Sequence, residues 1–306
     1  MEDLTDLMTP WCVHTVATLK IARHIEAGTD TIDALATAAE CDPRALHNVL
    51  GHLVTKGVFT EPEPGRFALT GPGGELLGMP FFDLGGIGGR FAGAWETIPA
   101  YVKTGKPGYA AKFGRPFWDD LAAHPALAQE FDDLIGPGGH APPDPEFGLD
   151  WPSIATVVDV GGGIGTLLNR ILEAHPHVRA TLVDFPGTVE RAAGAFETRG
   201  QSFFDPLPAG ADLYILRSVL NDWPDEETDA LLRNVASALG EQSRLIVSGG
   251  VAPDDAPRRL MIEMVLLGGT TDSLEAFAAR AARAGLAVVR SAEQADGRFY
   301  VELRRN

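Results

Sequence analysis

Two cysteines in 306 residues, Cys12 and Cys41, are too few for a disulfide framework or a four-thiolate zinc site. Both stand in helix-like apolar surroundings and are read as core thiols, and no metal is expected. Basic residues are scarce. The 25 Lys and Arg face 42 Asp and Glu, a formal charge of -17, so the chain repels phosphate backbones and anionic membranes unless it gathers a basic patch. No such patch is visible. Apolar runs are short as well. None reaches the roughly 18 residues of a membrane-crossing helix, and the opening "MEDLTDLMTPW" is acidic where a secretion signal would be basic. These absences lead to the expectation of a soluble, cytoplasmic protein that binds neither nucleic acid nor membrane. Low-complexity runs and internal repeats are also missing. What the chain does have is 45% hydrophobic residues, ample for packed cores.

The first ninety residues read as helices followed by a hairpin. "TPWCVHTVATLKIARHIEAG" carries apolar residues at three and four spacing and is expected as one helix stopped by Gly28. "TIDALATAAECDPRALHNVLGHLVTKGVF" gives two short helices, the first capped by Thr31 or Asp33, the second with Pro43 in its first turn. "GVFTEPEPGRFALT" is two strands around a Pro/Gly turn. This order is a winged-helix pattern. DNA binding would draw on the "PRALHNVLGHLVTK" helix, whose cations are Arg44 and Lys56, and residues 1–90 hold six Lys/Arg against twelve Asp/Glu. Dimerisation is therefore the expected role.

The expected division is 1–92 for that unit and 93–306 for the rest. Residues 91–135 look helical, and "GPGGHAPPDPEFGLDWPS" is a loop dense in Pro and Gly. Beyond it, "ATVVDV", "RATLVD", "ADLYIL" and "SRLIVSGG" alternate with "GTLLNRILEAH", "GTVERAAGAFETRG" and "DEETDALLRNVASAL", which predicts an α/β fold with a doubly wound, mostly parallel sheet. The chain closes with "LAVVRSAEQADGRFYVELRRN", a terminal antiparallel hairpin around Asp-Gly. Class I methyltransferases have such a hairpin, and nicotinamide-binding Rossmann domains normally lack it.

"VVDVGGGIGTLLNRIL" is a buried strand, a glycine-rich turn and a helix, where backbone N–H groups approach a ligand closely. The dinucleotide fingerprint would need glycine at 166, and Thr166 stands there. Gly161, Gly163 and Gly165, preceded by Asp159, instead match the E/D-x-G-x-G-x-G loop of S-adenosylmethionine (SAM) enzymes. No P-loop lysine follows. Asp184, in "TLVDFP" about 20 residues past the glycines, is placed to accept both ribose hydroxyls, with a helix cap as the plainer alternative.

Taken in order, "LTDLMTPWCVHTVATLKIARHI", "KGVFTEPEPGRFALT", "DVGGGIGTLL", "LVDFPGTVERA", "FFDPLPAGADLYIL" and "VLNDWPDEE" resemble bacterial relatives of the plant caffeate-type O-methyltransferases, over nearly the whole chain. That resemblance implies a homodimer through the N-terminal domain and a small natural-product acceptor, aromatic or polyketide. It implies SAM or S-adenosylhomocysteine (SAH) bound by Asp159, Gly161, Gly163, Asp184 and Phe185. Ser202 and Phe203 would flank the adenine, and Arg217 would lie near the methionine end.

The pattern fails where the family's histidine-bearing members read V-L-H-D-W and use the histidine to take a proton from the acceptor hydroxyl. Asn221 stands there, and a carboxamide cannot remove a proton at neutral pH. The two glutamates that position the histidine are replaced by Gly249 and Thr271. The G-D-F-F segment facing the adenine is replaced at Ser202, and the spacing leaves little room for the short strand that precedes it. Asp222 is the neighbouring candidate acid, expected on an extended stretch and pointing away from Asn221. His140, Tyr109 and His124 are read as surface residues, His175 and His177 as scaffold, and Asp119/Asp120 and Asp132/Asp133 as solvated helix faces. Met261 and Met264 line either an acceptor pocket or the core. Three readings follow: O-methylation of an acidic hydroxyl by orientation alone, a repurposed hydroxylase, decarboxylase or cyclase using SAM as an electrostatic element, and a non-catalytic SAM-binding dimer.

Overall fold

Pro43 needs no N–H partner in a first helical turn, and the Asp42 carboxylate before it accepts from Ala45 N at 2.7 Å, so helix Pro43–Thr55 begins at this cap. The computed structural model describes residues 5–135 and 143–306, and this helix belongs to the first of two units, Met1–Glu96. The boundary falls after Glu96 rather than at residue 92 because helix Ile87–Trp95 stays with the first unit. The expected opening helix is two, Met8–Thr18 and Ile21–Glu26. Lys20 adopts a left-handed φ of 55° between them. Helix Ile32–Ala38 starts after an extended Thr31, whose side chain makes no cap bond. Strands β1 (Phe59–Glu63) and β2 (Arg66–Leu69) pair antiparallel. Val16, Leu35, Leu50, Leu53, Phe59 and Phe67 form the core of this unit, with Cys12 and Cys41 packed partly buried against it.

The second unit, Thr97–Asn306, starts with short helices Ile98–Thr104, Tyr109–Phe113, Phe117–Ala123 and Pro125–Ile135. Its sheet comprises β3 (Thr156–Val160), β4 (Arg179–Asp184), β5 (Glu197–Gly200), β6 (Leu213–Arg217), β7 (Arg244–Ser248), β10 (Leu286–Glu293) and β11 (Phe299–Arg305), while β8 (Val251–Ala252) and β9 (Asp272–Ser273) form a small parallel pair. The strand order is β10-β11-β7-β6-β3-β4-β5. β11 runs antiparallel between β7 and β10, and the neighbours from β7 to β5 are parallel. The chain winds outward from β3 through β4 to β5, then crosses back to β6 on the other side of β3. Such a switch point opens a crevice at the carboxyl ends of the strands.

Parallel strands survive where both faces are covered. Val158, Val160, Tyr214 and Leu216 face one core with helices Asp225–Ala238 and Leu274–Arg283, while Val157, Leu213 and Ile215 face the other with helix Thr166–Ala174. The short strand for which the sequence spacing leaves little room does form. Helix Pro186–Val189 is only four residues long, which frees Glu197–Gly200 to pair with β4 as an exposed edge strand.

Arg280, 8% exposed, ties three elements together. Its guanidinium donates to Asp272 (2.7 Å), Asp225 (2.5 Å) and Asp229 (2.8 Å). Because the aspartates are partly solvated, replacing Arg280 by Met is expected to cost about 2 kcal/mol in urea unfolding of the full chain. An unchanged midpoint would contradict this reading of the clamp.

Candidate active site

The β3 strand ends against the glycine turn, and its register sets Asp159 beside Leu182 of β4 and Ile215 of β6. Gly163 has a left-handed φ of 62°, and a Cβ built there meets nothing within 4 Å, so the turn faces open space. Its N–H donates to Asp184 Oδ2 at 2.8 Å, and Phe185 N–H donates to Asp184 Oδ1 at 2.7 Å. Those bonds lock the end of β4 to the glycine turn. Burial outweighs them and pushes the Asp184 carboxyl up to about 6, Asp132 adding to the rise and Arg191 opposing it.

Asp159 is 1% exposed, and neither carboxylate oxygen has a hydrogen-bond partner. Burial pushes it up to about 7, with Arg217 pulling down and Asp184 pushing up. Arg217 itself is half-buried and makes no ion pair among the described residues; burial and the neighbouring Arg298 both lower its basicity. A buried carboxyl and a desolvated guanidinium that do not touch each cost roughly 1–3 kcal/mol. Together they suit a ligand bearing both an ammonium and a carboxylate, an amino-acid zwitterion. Asp184, at the next strand end, suits a pair of hydroxyls. This donor set fits the methionyl and ribose parts of SAM.

On the adenine side the expectation is only partly visible. Ser202 Oγ accepts from Phe204 N at 3.3 Å and so stabilises its own turn. Phe203 is buried, with ring centroids 5.1 Å from Phe185 and 5.6 Å from Trp223. It packs inward as core.

On the acceptor side, the chain leaves β6 through Ser218 at a left-handed φ of 56°, held by its N–H to Ser248 O (2.6 Å) and by Arg298 Nη1 on its Oγ (3.0 Å). The following Leu220–Asp222 is a 3-10 turn, not an extended end. The expected opposition of Asn221 and Asp222 is therefore corrected: Asn221 Nδ2 donates to Asp222 Oδ1 at 2.8 Å, while Asn221 Oδ1 is buried without a partner. Gly249 adopts φ 93°, and a Cβ there would stand 2.7 Å from Asn221 Oδ1 and 3.0 Å from Ser218 Cα. A glutamate does not fit this backbone.

Several other sequence expectations are relocated. Thr271 is exposed, Met261 is 44% exposed and Met264 is partly buried. Tyr109 and Asp120 are not surface groups: both are buried, and Tyr109 OH donates to Asp120 Oδ2 at 2.6 Å, with His124 Nδ1 at 3.0 Å from Asp120 Oδ1. Asp132 is not solvated either, since it pairs with Arg191, whereas Asp119 and Asp133 are exposed. His175 stacks on Trp151, His177 bonds Trp151 O, and His140 lies outside the described residues. Sequence reasoning missed Arg298 and Glu263. The signal for Glu263 was present, one carboxylate in the otherwise uncharged run Leu260 to Leu267.

Residues 95–285 match the O-methyltransferase domain model. The chain belongs to the O-methyltransferase family. Its cofactor is SAM, and it is a class I methyltransferase-family enzyme of natural-product biosynthesis. This methyltransferase-family chain is 36% identical over 309 residues to a 2,7-dihydroxy-5-methyl-1-naphthoate 7-O-methyltransferase of Streptomyces carzinostaticus, covering 94% of this chain and 92% of the relative. It is also 36% identical over 265 residues to an aclacinomycin 10-hydroxylase of Streptomyces purpurascens, covering 81% and 71%. Among solved structures, an O-methyltransferase from neocarzinostatin biosynthesis, in complex with SAH and 1,4-dihydroxy-2-naphthoic acid, superposes with a TM-score of 0.89 at 34% identity, covering 100% of this chain and 98% of that one.

The raised Asp159 carboxyl has a consequence for stability. Between about pH 4 and 7 the folded, cofactor-free protein holds a proton that the unfolded chain has released, so this group stabilises below about 4 and its contribution is lost as pH rises through about 7. Asp159→Asn should flatten the decline in stability over that window, measured by urea unfolding at several pH values. An identical slope in the variant would show that Asp159 is not an unpaired buried acid.

Proposed function

We propose that this enzyme methylates a phenolic hydroxyl of a small polycyclic aromatic natural product, as a cytoplasmic homodimer, without a histidine base. The observation that carries this reading is the buried, partnerless Asn221 Oδ1. Its amide nitrogen is fixed on Asp222, so the oxygen is the end left to accept a hydrogen bond from an incoming hydroxyl. Bound SAM supplies an electrophilic methyl group. Asp159 and Arg217 would hold its zwitterionic end and Asp184 its ribose, while Phe185, at the end of β4, would lie toward the adenine side. Asn221 then orients the acceptor oxygen, and a readily ionised phenol needs little further help.

Support for an aromatic acceptor comes from the naphthoate relatives and from the rings beside the turn: Trp223 lies 6.4 Å from Trp118 and 4.9 Å from Phe204, centroid to centroid. Support for dimerisation is the apolar surface of the first unit, where Leu7, Met8 and Trp11 are 82%, 62% and 48% exposed. Sedimentation of the full chain should give a dimer, and Met8→Glu with Trp11→Glu should shift it toward monomer. A monomeric parent protein would refute that assignment.

The reaction is tested by supplying methyl-labelled SAM and 1,4-dihydroxy-2-naphthoic acid, with label expected in the product. A product of unchanged methyl count, formed with SAM intact, would replace this reading by the altered chemistry that the hydroxylase relative exemplifies. Asn221→Ala should lower kcat/KM about tenfold, the worth of one orienting hydrogen bond. Asn221→His should not accelerate transfer, because Gly249 offers no carboxylate to hold the ring; a faster variant would contradict this account of the site.

A further inference from the structure

The Leu220–Asp222 turn carries an acid that cofactor binding does not use. Asp222 is half-buried, and its Oδ1 is occupied by Asn221 Nδ2. Glu263 approaches from helix Ile262–Leu266, which packs on this turn, and Glu263 Oε2 is buried with no hydrogen-bond partner. Asn221 Oδ1, next in sequence to Asp222, is in the same condition. The turn and the helix packed on it thus carry two carboxyls and an amide, two of whose oxygens are buried without a partner.

The surroundings supply no countercharge. Among the described residues, neither Asp222 nor Glu263 is in an ion pair with a Lys, Arg or His, and the charge acting on Asp222 is that of Glu263, of like sign. Gly249, Gly250, Gly269 and Thr228, which also pack on the turn, carry no charge, the Thr228 hydroxyl is directed at the Leu220 and Trp223 carbonyls, and Arg298 at the entry to the turn is bonded to Ser218 Oγ. Burial and then the Glu263 charge push the Asp222 carboxyl well above the usual carboxylate range. A like charge close by in a desolvated place disfavours ionisation of the Asp222 carboxyl.

We propose that Asp222 and Glu263 form a carboxyl pair that receives the proton of the acceptor hydroxyl, the task left vacant by Asn221. This rests on the methyl-transfer reading. In the step, the acceptor O–H bond breaks and a new O–H bond forms on a lone pair of Glu263 Oε2. The bonding electrons stay on the acceptor oxygen, and the proton returns to water after product leaves. Nothing is oxidised or reduced. Asn221 has a double part, orienting the hydroxyl through Oδ1 and fixing Asp222 through Nδ2.

The test has two readouts that do not depend on turnover. Infrared titration of the cofactor-free full chain should show, besides the bands of Asp159 and Asp184, an un-ionised carboxyl band that is absent in Asp222→Asn. In Glu263→Gln its midpoint should fall by about one pH unit, since the like charge is gone, while Glu263→Asp should keep it raised. In the SAH-loaded protein, 1,4-dihydroxy-2-naphthoic acid should show phenolate absorbance in the parent, several-fold less in Glu263→Gln, and partial recovery in Glu263→Asp. A band whose midpoint Glu263→Gln does not move, or phenolate absorbance equal in parent and Glu263→Gln, overturns the pair. With both shifts observed but no methyl transfer to any phenol tried, the pair stands and the reading of the reaction falls.

Discussion

A carboxyl group buried beside the glycine turn, with no hydrogen bond to either oxygen and no cation paired with it among the described residues, is the constraint on which the site depends. Parallel register delivers Asp159, Asp184 and Arg217 to the same carboxyl edge, and the cores on both faces exclude the water that would otherwise solvate them. Such an arrangement costs stability in the free protein. On the proposed reading, a ligand carrying the complementary charges, as the zwitterionic end of SAM does, would turn that cost into affinity. The Gly163 N–H bond to Asp184 locks the end of β4 to the glycine turn beside that carboxyl.

The acceptor side is governed by space rather than by charge alone. Asn221 and Gly249 share one volume: the left-handed φ of Gly249 and the closeness of Asn221 Oδ1 to its missing Cβ leave no room for the glutamate found in histidine-bearing members. The replacements at 221 and 249 are therefore one structural change. With glycine at 249, the acids on the elements packed here are Asp222 on the turn, which the V-L-H-D-W pattern also carries, and Glu263 on helix Ile262–Leu266.

Much of the fold was legible because local chemistry and tertiary packing agree. The run Thr156–Val160, the glycines after it and the Asp-Gly before Phe299 each carry a signal strong enough to read alone. The geometry of the candidate site was legible where the backbone defines it, in the left-handed glycines 161 and 163 and the strand end at Asp184. It was not legible where a turn changes the direction of side chains: a period-two reading sends Asn221 and Asp222 apart, and the 3-10 turn brings them together. Burial of isolated charges was equally hidden. Asp120 follows Asp119 in a helix, yet one is buried on Tyr109 and the other exposed, a distinction set by neighbours far along the chain.

The central claim is that an unpaired buried acid at Asp159 receives the positive end of the cofactor. Calorimetric titration of the free protein with SAH near pH 6.5, in buffers of different ionisation enthalpy, measures it directly. The account predicts net proton release on binding that disappears in Asp159→Asn. Binding without proton exchange, or release of the same size in the variant, would contradict it.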